Sequence, residues 1–174
     1  EMKATGEVLG VGNEFGTALN KAYAAAGVEI KDKEKGVFVT LSDDEKPNFI
    51  KTINKYLELG FTLYATEGTG KFLKTNGIDS VIVGKADDSG QTSLTIIKDK
   101  LVSLVINTPT YANELTDGWK IRRLSHETGV AVVSSVREAD AFIQAFLNQN
   151  LVLEDMEVIH CLLYTSDAAD DSPS

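Results

Sequence analysis

The sequence contains few of the residues that would stabilise a small fold covalently or through a metal ion. One cysteine, Cys161, and two histidines occur among its 174 residues, which excludes a disulfide framework and a cysteine-based zinc site. No apolar run approaches the roughly 18 residues that a membrane-spanning helix needs, and no charged-then-apolar signal segment opens the chain. We therefore expect a cytoplasmic protein that does not enter a membrane.

Positive charge is also scarce. The only arginines are Arg122, Arg123 and Arg137, and 17 basic residues stand against 26 acidic ones, for a net charge of −9. Because binding to nucleic acid depends on attraction between basic residues and phosphates, we exclude a nucleic-acid partner. A small anion remains compatible with this charge, since a few lysines and the amides of one helix N-terminus are enough to bind it.

Short apolar, β-branched segments alternate with amphipathic ones from residue 36 onward. The apolar segments predict five buried strands, at residues 36–42, 61–66, 80–85, 101–107 and 130–135. The segments between and after them predict helices, near residues 47–57, 69–76, 94–100, 119–128 and 137–149. This alternation indicates an α/β fold, a Rossmann- or flavodoxin-like parallel five-stranded sheet with helices on both faces. From size alone we predict the strand order 2-1-3-4-5.

The two ends of the sequence differ in character from its middle. Residues 14–26 predict a helix closed by Gly27, and the charge-alternating run after it predicts a solvated linker. The last segment, CLLYTSDAADDSPS, resembles the translation of a sequencing adaptor, and a natural disordered tail is the alternative. The predicted segments are 1–27, a linker at 28–35, a main domain at 36–150, an extension at 151–160 and a tail at 161–174.

Polar side chains follow every predicted strand. Open α/β sheets bind ligands at the carboxyl ends of their strands. The residues at those ends are Thr40, Ser42, Thr66, Lys85, Asn107, Thr108, Ser134 and Ser135. All of them carry a hydroxyl, an amide or an ammonium group, which favours an oxygen-rich, anionic ligand.

The most distinctive local element is the turn at residues 66–71, TEGTGK, between the second strand and its helix. Gly68 allows a tight turn whose amides point inward, the helix N-terminus adds partial positive charge, and the threonine hydroxyls add donors. These features predict a phosphate cradle that includes Thr69, with Lys46 close enough to extend its ammonium group toward it. The alternatives are an ordinary turn with Thr69 capping the helix and a solvated lysine. A triphosphate-binding loop is excluded, because Phe72 stands where that motif needs a hydroxyl.

Three other polar residues on one predicted helix have ordinary explanations. We expect at least one of Arg122 and Arg123 to face solvent or a carboxylate, and His126 to be a surface or partly buried neutral histidine. No Ser-His-Asp arrangement and no metal site are predicted.

Five sequence segments occur in an order that resembles the C-terminal part of the carbamoyl-phosphate synthase large subunit. They are EMKATGEVLGVG at the start, ATEGTG at 65–70, VGK at 83–85, LVINTPT at 104–110 and KIRR at 120–123. Residues 1–27 resemble the end of the second ATP-grasp synthetase half. Residues 36–150 resemble its methylglyoxal-synthase-like regulatory domain.

The resemblance implies the allosteric module of a glutamine-dependent synthetase that makes carbamoyl phosphate for pyrimidines and arginine. It implies an effector such as UMP, IMP or phosphoribosyl pyrophosphate, no cofactor in this segment and no catalysis by it. The parent enzyme would use ATP with Mg or Mn and would bind a glutaminase small subunit; a homo-oligomer stays open. The family positions that hold the phosphate and the sugar of the effector fall on Thr40, Lys46, Thr66, Thr69, Lys85 and Asn107. Gly68 and Thr108 complete the predicted site.

The sequence departs from the family pattern in the loop after the fourth strand. Many relatives carry a basic pair where this chain has Ala112 and Asn113, and Pro109 replaces a frequent threonine. Two alternative functions follow. One is a methylglyoxal synthase, a lyase acting on dihydroxyacetone phosphate, although the histidine that this reaction needs is missing from residues 107–118. The other is a structural or oligomerisation domain that has lost its ligand.

Overall fold

A computed structural model of the chain describes residues 9–12, 15–25, 35–108 and 117–149. Most of the predicted linker, the extension, the tail and the loop residues Pro109, Ala112 and Asn113 lie outside these ranges. The elements are α1 (Phe15–Ala25), β1 (Gly36–Thr40), α2 (Lys46–Glu58), β2 (Leu63–Thr66), α3 (Glu67–Thr75), β3 (Val81–Val83), α4 (Ser93–Lys98), β4 (Val102–Asn107), α5 (Asp117–Thr128), β5 (Ala131–Val133) and α6 (Val136–Gln149).

The five strands form one parallel sheet, which confirms the predicted α/β class. Their order is β3-β2-β1-β4-β5, so the predicted order 2-1-3-4-5 is wrong. The reason is visible in the strands themselves. Strand β3 has only three residues and exposes Val81 and Ile82, which an edge position tolerates, whereas the longer β4 is buried along most of its length and lies beside β1.

Helices cover both faces of the sheet and bury two apolar layers. One layer joins the sheet to α2, α3 and α6 through buried side chains such as Ile53, Leu73 and Ile143. The other joins it to α4 and α5 through Phe38, Ile97 and others. Helix α1, from the segment predicted to precede the main domain, packs against α6.

The helix boundaries follow from local sequence. Pro47 lies in the first turn of α2, where its missing N–H costs nothing. Gly60 and Gly129 follow α2 and α5 with φ angles of +86° and +71°, a left-handed conformation that suits glycine at the end of a helix. Among the described helices, none combines the length and the apolar character needed to cross a membrane.

Candidate functional site

The predicted site residues come together at the carboxyl edge of the sheet. Thr40, Thr66 and Asn107 are the last residues of β1, β2 and β4, and Thr40 pairs directly with Asn107 in the sheet register. Strands β1 and β4 are the neighbours at which the chain reverses its direction across the sheet. In open α/β sheets this is the point where a crevice for a ligand forms.

Three threonine hydroxyls form a cluster at the ends of β1 and β2. The Thr66 hydroxyl oxygen lies 3.5 Å from that of Thr40 and 3.3 Å from that of Thr69. The backbone N–H of Leu41 donates to the Thr69 hydroxyl at 3.0 Å. Thr69 is only 2% exposed, so this bond holds its side chain in a fixed position. We call Thr40, Thr66 and Thr69 the threonine cluster.

Helix α3 begins two residues earlier than predicted, at Glu67, and this changes the role of Thr69. The residue that precedes the helix is Thr66, with φ −66° and ψ 156°, and its side chain makes no capping hydrogen bond. Thr69 is the third residue of the helix, so the alternative in which it caps the helix is wrong. The first-turn N–H groups have no partner within a helix. Gly68 is exposed, with open space where a β-carbon would lie.

The hydroxyl and the backbone N–H of Thr108 both form hydrogen bonds within the protein. Its hydroxyl accepts the backbone N–H of Ser42 at 2.7 Å and donates to the Ser42 hydroxyl at 3.2 Å. Its own N–H donates to the carbonyl of Thr40 at 3.1 Å. The Ser42 hydroxyl in turn lowers the pKa of Asp44 through a hydrogen bond. These bonds join the turn after β1 to the end of β4, and a binding role for Thr108 stays a prediction.

A cationic side chain that sequence reasoning did not assign to the site also lies there. Arg122, on α5, donates from Nη1 to the side-chain oxygen of Asn107 at 2.7 Å. Its neighbour Arg123 faces away, pairs with Glu127 at 2.8 Å and lies 5.3 Å from the Trp119 ring centre. The expectation that one of the two arginines meets a carboxylate is therefore confirmed for Arg123.

The two predicted lysines lie at the rim of the site rather than in the threonine cluster. Lys46 is the first residue of α2, its side chain is 16% exposed, and its ammonium pairs with Asp43. Lys85 is exposed, and its backbone N–H donates to Asp88 at 2.7 Å. No hydrogen bond among the described residues joins either ammonium to the threonine cluster.

One carboxylate stands at the start of α3. Glu67 pairs with Lys71 at 2.7 Å, and this hydrogen bond is the main reason that the pKa of Glu67 lies below its ordinary value. The charges of Lys71 and Lys85 act in the same direction. Glu67 is therefore ionised at neutral pH, and the two lysines offset its charge at this edge of the sheet.

The groups at this edge of the sheet suit the binding of an anion. Within the described ranges, no three His, Cys, Asp or Glu side chains lie close enough together to hold a metal ion. His126 is exposed on α5, as expected of a surface histidine. What the site offers is hydroxyl groups, the amides of a helix start and one guanidinium.

Comparison with known proteins gives two results. The MGS-like domain family matches residues 48–134. The carbamoyl phosphate synthase large chain of Lachnoclostridium phytofermentans is 37% identical over 149 residues, which cover 85% of this chain and 14% of that protein.

Two further relatives are described as the C-terminal section of a carbamoyl phosphate synthase large chain. The Methanocaldococcus jannaschii protein is 36% identical over 146 residues, covering 83% of this chain and 24% of that protein. The Methanopyrus kandleri protein is 35% identical over 163 residues, covering 93% of this chain and 29% of that protein. The chain thus spans less than a third of the length of these relatives, and the resemblance drawn from its sequence segments is confirmed.

Proposed function

The chain belongs to the MGS-like domain family, and from this we propose that it is the effector-binding domain of a carbamoyl phosphate synthase large chain. The proposed ligand is a nucleotide or sugar phosphate such as UMP. It binds at the carboxyl ends of β1, β2 and β4 and regulates the parent enzyme allosterically. The observation that carries this proposal is the threonine cluster beside the start of α3.

The threonine cluster supplies what a phosphate group needs. Phosphate oxygens accept hydrogen bonds from hydroxyls and from the free N–H groups of a helix start, where the helix dipole contributes about half a positive charge. The three hydroxyls lie within 3.5 Å of their neighbours in the cluster. Gly68 leaves open space beside the first turn of α3, so a ligand can approach the backbone closely.

The width of the site suits a ligand larger than inorganic phosphate. Strand β1 separates β2 from β4, so Thr66 and Asn107 stand about 10 Å apart at the usual spacing between strands. A nucleoside monophosphate spans roughly that distance. Arg122 adds a cation at the β4 end, and no carboxylate among the described residues pairs with it. The guanidinium of Arg122 supplies part of the positive charge that is missing because this chain has Ala112 and Asn113 in place of a basic pair.

The wider context of the domain is part of the same proposal. The parent enzyme would hold ATP, with Mg or Mn, in its ATP-grasp domains and would take ammonia from a glutaminase small subunit. Its product would serve pyrimidine or arginine synthesis. The segment described above would carry out none of this chemistry and would act only through its ligand.

Calorimetric titration of the full 174-residue chain with UMP tests the proposal, with uridine and inorganic phosphate as comparisons. We expect saturable binding of UMP, no detectable binding of uridine, and weaker binding of phosphate than of UMP. Binding also raises the melting temperature, since a ligand that prefers the folded state stabilises it. No heat and no change in melting temperature with any of the three compounds would contradict the proposal.

Asp43 competes with the ligand for Lys46. The two side chains form an ion pair in which Asp43 is 95% exposed, so the pair itself is weak, and Asp43 also repels an anion. We expect Asp43→Asn to tighten UMP binding about two- to fivefold, the effect of a surface charge interaction of up to ~1 kcal/mol. Calorimetry measures this change.

Asp99→Asn is the matched control for that prediction. It removes the same charge from an exposed position that follows α4, at the opposite edge of the sheet. It should leave the affinity for UMP unchanged. Equal effects of the two substitutions would assign the change to net charge rather than to Lys46.

A further inference from the structure

Two hydroxyls of the threonine cluster face the side of the sheet that α4 and α5 cover. Side chains alternate between the two faces along a strand, so Thr40 faces the same side as Phe38, and Thr66 the same side as Tyr64. Phe38 and Tyr64 both belong to the apolar layer between the sheet and these two helices. A ligand on the two hydroxyls therefore lies on the α4 and α5 side of the sheet edge.

One ion pair joins the loop that leads into α4 to the first turn of α5. The β3–α4 loop comprises residues 85–91, and Lys120 of α5 donates from Nζ to both carboxylate oxygens of Asp87, at 2.9 and 2.7 Å. The hydrogen bond to Asp87 also raises the pKa of Lys120, so the ammonium group is charged at neutral pH. Among the described residues, no other hydrogen bond joins this loop to an element besides β3 and α4.

The rest of the β3–α4 loop has few contacts that would fix its position. All of its residues except Ala86 are exposed. Its other hydrogen bonds are local: the N–H of Lys85 donates to the Asp88 carboxylate at 2.7 Å, and the N–H of Asp88 donates to the carbonyl of Lys85 at 3.2 Å. Exposed segments with few buried contacts open at a low cost in free energy. The Asp87–Lys120 pair therefore determines where the loop lies relative to α5.

The order of the strands places this connection across the threonine cluster. Helix α5 packs against β4 and β5, whereas β3 is separated from β4 by β2 and β1. A link from the end of β3 to α5 therefore spans the ends of β2 and β1, where Thr66 and Thr40 lie. It spans them on the side that the two hydroxyls face.

We propose that the β3–α4 loop is a lid over the ligand site and that the Asp87–Lys120 pair holds this lid closed. The inference rests on the proposed function. The ligand enters and leaves only while the pair is broken. Closure therefore slows association and dissociation by the same factor and leaves the affinity nearly unchanged, provided that the ligand does not touch the pair.

The exposure of the pair sets the size of this effect. The side chain of Asp87 is 79% exposed and that of Lys120 is 36% exposed. Solvent screens such a pair, so it favours the closed state over the open one by about 2- to 5-fold. The lid is therefore a weak one, which opens often and delays the ligand without trapping it.

The dissociation rate of UMP tests the inference. Line shapes in an NMR titration of the full chain give this rate, and calorimetry gives the affinity. We expect Asp87→Asn and Lys120→Met each to raise the rate about 2- to 5-fold, with the affinity within about twofold of that of the unaltered chain. Exchange of the two charges, by Asp87→Lys together with Lys120→Glu, should restore most of the slow rate because it restores an ion pair.

Asp140→Asn is the matched control. It breaks a second ion pair between distant parts of the chain, in which Lys55 of α2 meets Asp140 of α6 at 2.6 Å. Helices α2 and α6 cover the other face of the sheet, so the rate should not change. An unchanged rate in Asp87→Asn and Lys120→Met, or an equal rise in Asp140→Asn, would overturn the inference. A loss of affinity in Lys120→Met alone would assign Lys120 to the ligand and would also overturn it.

A second measurement does not need a ligand. The heteronuclear Overhauser effect of the backbone amides of residues 86–90 reports motion of the loop on a fast timescale. We expect greater motion in Asp87→Asn and Lys120→Met than in the unaltered chain and in Asp140→Asn. Equal motion of the loop in all four proteins would show that the pair does not hold it, and this would overturn the inference.

The two measurements together separate failure of the inference from failure of the proposed function. If no nucleotide binds but the loop loosens only when the Asp87–Lys120 pair is broken, the proposed function and the lid are both contradicted, and the pair is a structural contact alone. If UMP binds but neither its dissociation rate nor the motion of the loop depends on the pair, only the inference is overturned.

Discussion

Thr69→Val is expected to weaken UMP binding by about 10- to 150-fold, the cost of losing a hydrogen bond worth ~1.5–3 kcal/mol to a charged group. Valine keeps the shape of threonine and removes only its hydroxyl. That hydroxyl lies in the threonine cluster, in the first turn of α3, and is held by the N–H of Leu41 at 3.0 Å. Calorimetric titration of the variant with UMP measures the loss.

Two substitutions control for indirect effects of Thr69→Val. Thr69→Ser retains the hydroxyl and should keep the affinity within about threefold, since its hydrogen bond to a charged group survives. Thr75→Val removes a hydroxyl at the other end of α3, where it donates to the carbonyl of Lys71 at 2.9 Å. It should not change the affinity. If Thr69→Val kept full affinity for UMP, this would contradict the proposal that the phosphate binds at the threonine cluster.

Phe38→Ala is expected to lower the free energy of unfolding by about 3–5 kcal/mol, the usual cost of deleting a buried phenylalanine ring. Phe38 is fully buried in β1 and packs in the layer that also holds Ile97 of α4 and Ile121 of α5. Urea denaturation followed by circular dichroism measures the change.

Leu57→Ala is the control for Phe38→Ala, because it truncates a side chain that is not fully buried. Leu57 lies on α2 and is 36% exposed, so its truncation removes fewer buried contacts and should cost about 1 kcal/mol or less. A loss of similar size in both variants would mean that Phe38 does not fill the core as described. Because Phe38 lies inside β1 and not at its carboxyl end, UMP binding should fall only as far as the folded fraction falls.

The class of the fold could be predicted because each strand is short, apolar and bounded by polar residues. Every described strand falls inside the segment assigned to it from the sequence. Strand order could not be predicted in the same way, since it depends on which strands pair and not on the composition of any one of them. The exposed residues Val81 and Ile82 of β3 mark an edge strand, but their sequence alone is typical of an ordinary buried strand.

The threonine part of the site could be predicted because the carboxyl ends of parallel strands meet at one edge. That rule placed Thr40, Thr66 and Asn107 together without knowledge of the strand order. Arg122 was missed because two arginines are adjacent on α5, and the helical period alone does not tell which of them faces the sheet. Its position becomes clear only when α5 is packed against β4, with Ile121 buried beside it.

A backbone NMR titration of the full chain with UMP tests the central claim, the location of the ligand, most directly. We expect the largest shifts of amide signals at Leu41, Gly68, Thr69 and Asn107, at the carboxyl edge of the sheet. Signals at the opposite edge, such as those of Gly60 and Gly129, should remain in place. Saturable shifts confined to that opposite edge, with the threonine cluster unaffected, would contradict this location.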